Sequence, residues 1–416
     1  MTDFRAAIVS VLLALLPVGF AAEAARRTAF VTSVSGTGNL GAWADAGGHN
    51  GLAAADAICQ ARAAAAGLSG PGDYVAWISD SSTDAYCRAH GYPGTKAGNC
   101  GGLPSLPDDA GPWIRTDGYP FAPTIGDALG PGGVIYAPVR LDEFGNPSAR
   151  PLVFTGTTAS GEYAGYASAA CADWTSSVQD QVGAGDVVGG TVAWTQSGAS
   201  YCNATLALLC LQIGAGDPLP PHWRQGAVVF LTSVAGTGNL GGWPDAASNT
   251  GIAAGNAICQ ERATAAGLPE PTSFRAWLSD ATHDAIDQLV LDGPWTRIDG
   301  VPVASTLADL TDGELLAPIN VDDTGSYVGN LGVWTGTLET GLGGADHCMG
   351  WTDGGSSSDG VRGSAYRANA WWTAFGGPGE CSFGYGRLYC ISNVVANILI
   401  DGFESADTAA WSTTVP

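Results

Sequence analysis

The 416-residue chain sets 39 acidic side chains against 16 basic ones, a net charge of −23, and Lys96 is its only lysine. So acidic a protein repels phosphate backbones and anionic membranes, which excludes nucleic-acid binding and leaves cations, neutral ligands such as sugars, and protein surfaces. With 45% apolar residues, 14 Trp and 61 Gly but only 13% charged side chains, the composition is that of a folded chain rather than a disordered one.

The apolar stretch from Ala6 to Phe20 follows Arg5 and precedes small residues at Ala22 and Ala24, so residues 1–24 read as a secretory signal peptide. It is shorter than the roughly 20 apolar residues a membrane span needs, and no later segment approaches that length. The expected destination is outside the cell or its surface, with the periplasm as the other oxidising compartment.

From there the chain is written twice. GTGNLG at Gly36 to Gly41 returns at Gly236 to Gly241, Ile58-Cys59-Gln60 at Ile258-Cys259-Gln260, and Ala76-Trp77-Ile78-Ser79-Asp80 at Ala276-Trp277-Leu278-Ser279-Asp280, all at an offset of 200. A period this long is a whole domain, so the expectation is two similar modules, residues 28–213 and 227–393, and not a solenoid. The offset falls to 182 at Gly111-Pro112-Trp113 and Gly293-Pro294-Trp295. Eighteen residues are inserted in the first copy.

Each module opens on a strand, Ala29 to Ser33 or Val228 to Ser233, rich in β-branched and aromatic residues. A helix follows over Leu52 to Ala66 and Ile252 to Ala266, with Asn50 or Thr250 before it and Gly67 or Gly267 after it. Leu52, Ala55, Ile58, Cys59 and Arg62 fall on one face, which buries the cysteine. Short apolar segments at Tyr74 to Ile78, Val134 to Val139, Leu152 to Thr155 and Leu206 to Leu211 then alternate with turn-forming clusters. The expected class is α+β, with few helices and many loops.

Ten cysteines in an exported chain read as disulfides. Cys87 and Cys100 arrive together in the insertion and most simply pair with each other. The four that recur, Cys59, Cys171, Cys202 and Cys210, matched by Cys259, Cys348, Cys381 and Cys390, admit three pairings by counting. The preferred one is nested: Cys59 with Cys210 and Cys171 with Cys202, then Cys259 with Cys390 and Cys348 with Cys381. With no CxxC and no zinc-finger spacing, metal binding by these thiols is the weaker account.

The order GTGNLG, helix with ICQ, AW[IL]SD, GPW then DG, [FW]TGT, Cys with WT, WT, Cys and Cys resembles the endostatin-like, C-type-lectin-like domain of bacterial secreted and surface proteins, the leptospiral endostatin-like proteins among them. The resemblance covers both copies nearly whole. In the first it rests on Cys59, Trp77, Trp113, Thr155 to Thr157, Cys171, Trp174, Trp194, Cys202 and Cys210. It implies two tandem disulfide-bonded C-type-lectin-like modules, the nested pairing, and adhesion to host proteins as a family-level expectation. The calcium-binding Glu-Pro-Asn, Gln-Pro-Asp and Trp-Asn-Asp strings of sugar-binding C-type lectins are missing here. So are the Arg-rich heparin surface and the His-containing zinc site of endostatin.

GTGNLG also satisfies GxGxxG, but Ala42 to Asn50 separates it from the helix, so it does not fit a dinucleotide site. A tight turn or close backbone approach is the simpler reading. None of His49, His90, His222, His283 and His347 has a counterpart in the other copy, and neither GxSxG nor HExxH occurs, so no shared hydrolase mechanism is written in the repeat. Asp80, Asp280, Asp117 and Asp299 do recur, beside Ser or Gly, as turn and cap residues do.

The candidate binding surface is the loop stretch between the inner cysteines, with Asp173 and Trp174 in the first copy, Trp351, Asp353 and Asp359 in the second, and Trp371, which has no partner in the first. Asp346, Asp353 and Asp359 form the acidic set a calcium ion would want. That stretch continues to Arg362 and Arg367. Residues 214–226, with Pro218, Pro220 and Pro221, read as a stiff linker. Residues 394–416 form a tail that carries Ile400 to Ser405 and resembles the Asp-Gly-Phe-Glu-Ser tail of many exported proteobacterial proteins. The function expected is that of a secreted, non-catalytic binding or adhesion protein recognising a protein or glycan of an extracellular matrix or cell surface, with no cofactor apart from that calcium. A structural cell-envelope protein and an uncharacterised extracellular hydrolase are the alternatives.

Overall fold

The structure, a computed structural model, describes residues 26–165, 170–219 and 226–395. The stretch read as a signal peptide, residues 220–225 of the linker and nearly all of the tail lie outside the described residues.

In the first half, β1 (Arg27–Val31) leads through the GTGNLG loop to α1 (Gly51–Ala65) and then β2 (Tyr74–Ala76). β3 (Trp113–Ile114), β4 (Pro120–Ala122), β5 (Leu152–Phe154), β6 (Gln181–Asp186), β7 (Gly198–Tyr201) and β8 (Ala207–Gln212) follow. They form one sheet in the order β4-β3-β1-β8-β5-β6-β7, with β2 also pairing β8. First and last strands lie antiparallel, Phe30 opposite Cys210.

The second half repeats the plan with β9 (Ala227–Leu231), α2 (Gly251–Ala265), β10 (Phe274–Ala276), β11 (Trp295–Arg297), β12 (Pro302–Ala304), β13 (Gly332–Trp334), β14 (Asp359–Gly360), β15 (Arg362–Ser364), β16 (Gly379–Glu380) and β17 (Tyr389–Val395). Five strands run β10-β17-β9-β11-β12, and β13–β15 and β14–β16 are separate ladders. Phe230 lies opposite Cys390. The class is α+β, sheet-rich with few helices.

Alternation along the strands divides each half into two cores. Ala29, Val31, Leu209 and Leu211 face a core with Trp77, Trp113 and Trp194, whereas Phe30, Leu208 and Cys210 face α1 and Trp174. β9 splits the same way between two clusters in the second half. Trp77, Trp113, Trp174, Trp194, Trp277, Trp295, Trp334, Trp351 and Trp372 are all buried. Covering about 200 Å² of ring contributes about 5 kcal/mol each as an upper figure, so these indoles build the interior.

Of the helix face read from sequence, Ala55, Ile58 and Cys59 are buried, joined by Ala54 and Ala63, while Leu52 and Arg62 at its ends are half-buried. Asn50 and Thr250 sit at the N-caps but make no side-chain cap bond, while Gly67 and Gly267 end the helices at φ +68° and +67°. All five disulfides have the expected partners: Cys59–Cys210, Cys87–Cys100 and Cys171–Cys202, then Cys259–Cys390 and Cys348–Cys381. One strand expectation fails. Val134 to Val139 buries Ile135, Ala137 and Val139 but forms no strand, because Pro138 lacks an amide and the Val134 and Tyr136 amides go to the Asp127 and Phe121 carbonyls in different places.

The halves meet along a seam the sequence does not announce. Gly190 N donates to Tyr366 O at 2.8 Å, and Ala368 N donates to Val188 O at 3.2 Å. Since Trp194 answers to Trp372, Val188 answers to Tyr366 and Gly190 to Ala368, and these bonds exchange under a half-turn, as contacts of a two-fold dimer do. The bridging pair itself, Gly189 and Arg367, is a pair of equivalent positions. Arg367 forms a buried ion pair with Asp186, Arg140 reaches Glu314 at 3.2 Å, and Ala137 packs with its equivalent Ala317.

Candidate functional site

The repeated motifs are used inside the fold. A Cβ on Gly36 would lie 2.4 Å from the Trp43 indole, and one on Gly38 would lie 2.4 Å from Cys171 Sγ; Gly236 and Gly238 stand the same way to Trp243 and Cys348. These glycines admit an indole and a disulfide against the backbone. Gly38→Ala should therefore lower stability by about 1–3 kcal/mol, the usual cost of overpacking, read from urea midpoints. A midpoint equal to the parent's would remove this account of the motif. Beside the loop, a shallow cleft of about 390 Å³ is lined by Ser35, Thr37, Trp43 and Asp45.

AW[IL]SD and [FW]TGT meet in one buried polar network. Trp77 Nε1 donates to Thr195 Oγ1 at 2.8 Å, Thr155 Oγ1 to Thr195 O at 2.8 Å, and the Ser79 and Thr157 hydroxyls lie 2.9 Å apart. Trp277, Thr373, Thr335, Ser279 and Thr337 repeat it in the second half. Asp80 and Asp280 close turns on the amides of Thr83 and His283, while Asp117 and Asp299 neutralise the buried Arg115 and Arg297.

The inner-cysteine loops correct part of the sequence reading. Cys171 to Trp174 all lie at φ between +50° and +64°, and Cys348 to Trp351 between +49° and +71°, each a single left-handed turn. Every non-glycine residue there carries the steric cost of that region, about 1–2 kcal/mol. The turn swings the tryptophan inward: Trp174 and Trp351 are fully buried, and their indole N–H groups donate to Ser79 O and Ser279 O, both at 2.9 Å. Neither can touch a ligand. The rings are core, and the loop stretch between the inner cysteines runs around them.

The acidic residues are engaged separately rather than gathered at one point. Asp173 accepts from Ser81 N at 3.0 Å and Ser81 Oγ at 2.9 Å. Asp353 accepts from Ser358 Oγ at 2.5 Å and Gly355 N at 2.8 Å, and the Ser358 hydroxyl with the Gly355 and Gly354 amides holds its carboxyl below the usual carboxylate range. Asp359 is exposed on β14, directly across from Glu380. The carbonyl of Asp346 accepts from Val361 N. Among the described residues no group of three or more His, Cys, Asp or Glu gathers as a metal ion requires, so Asp346, Asp353 and Asp359 do not assemble into a carboxylate calcium cage.

Trp371 alone of the six candidate binding residues fits as an exposed aromatic: it is 44% exposed and meets Phe375 edge-on at 5.2 Å, with the Arg367 guanidinium 5.3 Å from its ring. It belongs to a larger strip. Phe375 N donates to Arg362 O at 2.6 Å. The Arg362 guanidinium lies 4.8 Å from the Phe383 ring and 6.0 Å from that of Trp334, and Phe383 meets Tyr385, 74% exposed, at 6.0 Å. The first half has none of this: Ala193 and Ser197 stand for Trp371 and Phe375, and Asn203, Ala204 and Thr205 fill the stretch that holds Phe383 and Tyr385. Comparison of the two copies position by position is the signal that finds it. No family model matches the chain, and no curated protein matches it.

Proposed function

We propose that the protein is a secreted, non-catalytic binding or adhesion protein of two tandem C-type-lectin-like modules, recognising a protein or glycan of an extracellular matrix or cell surface. The observation that carries this is the aromatic strip of exposed Trp371, Phe375 and Tyr385 around the half-buried Phe383. Aromatic side chains in water are a cost that recognition surfaces accept, since they supply contact area at little loss of conformational freedom. The first half supplies an internal control, keeping the same core with small or polar residues at those positions. The nested disulfides, and the clamp that holds each half's last strand beside its first, suit a rigid frame that presents loops. Ser79, Asp80, Asp117 and their equivalents, the recurrent groups a hydrolase would draw on, are engaged in turns and buried pairs.

The test is binding of the purified chain to a glycan array and to a panel of matrix proteins, with calcium and with chelator. Saturable binding to at least one surface is expected, weakened by Trp371→Ala and unchanged by Asp353→Asn. Failure to bind anything would favour an envelope component, and turnover of generic esters or glycosides would overturn the non-catalytic reading.

A further inference from the structure

Arg362 is half-buried, and its guanidinium makes no hydrogen bond or ion pair among the described residues; aromatic rings hold it instead. This is unusual in so acidic a chain. Asp359 and Glu380 are close in the fold: Asp359 pairs with Glu380 across β14 and β16, and the backbone of Gly379, next to Glu380, lies directly under the guanidinium, where a Cβ would meet Arg362 Nη2 at 2.1 Å. Glu380 instead accepts from the Ser382 hydroxyl at 3.1 Å, and neither carboxylate pairs with the arginine. The equivalent position in the first half is Ala184, since Ala184 pairs with Phe154 on β5 as Arg362 pairs with Trp334 on β13. A guanidinium fixed over rings with its donor fork unspent is a preorganised receptor for a planar anion.

Resting on the binding reading above, we infer that Arg362 with Phe383 and Tyr385 forms a site for a saccharide bearing a single carboxylate, with the guanidinium pairing the carboxylate and the rings stacking on the sugar. The charge of −23, with Asp359 and Glu380 beside the site, repels polyanions and favours a lone carboxylate. Tyr385, 74% exposed, presents an open face rather than the groove an extended peptide needs.

The experiment is calorimetry on the full chain with 3′-sialyllactose and a glucuronate-terminated disaccharide as carboxylate probes, and lactose as the neutral control. Arg362→Gln keeps much of the stem and loses the charge, and Tyr385→Ala changes an exposed ring that folding does not need. Either carboxylate sugar should bind at least about tenfold more tightly than lactose, with that preference lost in Arg362→Gln, as one charged hydrogen bond predicts. Tyr385→Ala should weaken binding while keeping the preference. Equal binding of lactose, or a preference that survives Arg362→Gln, overturns the site and leaves the glycan-binding reading standing. A carboxyl-terminal peptide that binds through Arg362 where no sugar does overturns the sugar assignment. Matrix-protein binding with no response to any of these probes overturns the site alone, and binding to nothing overturns the general reading as well.

Discussion

Replacing Cys59 and Cys210 together by alanine should cost about 5 kcal/mol, against about 3 kcal/mol for the Cys87 and Cys100 pair. The bonds close loops of very different length, with sequence separations of 151 and 13, and the longer loop removes more freedom from the unfolded chain. Cys259 and Cys390, separated by 131, should rank with the first. Both long bonds join the central helix to the last strand where that strand pairs with the first, so losing one releases the clamp as well as the loop. Scanning calorimetry of the three double variants provides the ranking. A small-loop variant that melts below the other two would show that strain or residual structure, rather than loop length, governs stability here.

Asp299→Asn should be nearly as damaging, at about 3–5 kcal/mol, because it strands a charge in the interior. Arg297 is 1% exposed. Its Nε donates to Asp299 Oδ1 at 3.0 Å, its Nη2 to Asp299 Oδ2 at 2.7 Å and to the Tyr327 hydroxyl at 2.8 Å, and its Nη1 to Asn320 Oδ1 at 2.6 Å and Pro318 O at 3.1 Å; Tyr327 also donates to Asp299. Asparagine fills the same volume but turns an amide toward a guanidinium. Burial by itself raises the Asp299 pKa, and Arg297, the Tyr327 hydroxyl and the Val301 amide together more than offset it, leaving the carboxyl below the usual value. A depressed folded pKa contributes stability above the unfolded value of about 4 that is lost as pH falls through the folded one. The gap between parent and variant should thus be full at pH 7 and narrow below pH 4, while the exposed Asp287→Asn stays within about 0.5 kcal/mol throughout. A gap that does not change with acid would mean that Asp299 acts by shape alone.

How much of this the sequence disclosed depends on the kind of force involved. The two helices, the opening strands and the buried faces follow from periodicity, and the repeat locates the motifs. Pairings of Cys87 with Cys100 and of the nested sets agree with the preferred reading. Trp174 and Trp351 stand in the candidate binding stretch, yet a left-handed turn, which their neighbours do not announce, carries each ring into the core. Val134 to Val139 looks like a strand by composition, yet its amides find no common partner. The seam is carried by backbone groups of Val188, Gly190, Tyr366 and Ala368, which have no side-chain signature. Arg362 is one of several arginines until Phe383 and Trp334 are seen around it.

Across the seam the frames answer position for position: Phe154 to Trp334, Gly185 to Gly363, Trp194 to Trp372. The same correspondence sets Ala184 where Arg362 stands and Ala193 where Trp371 stands. Doubling therefore produced a symmetric chassis with unlike ends, so that one end was free to vary its surface while its twin went on bracing it.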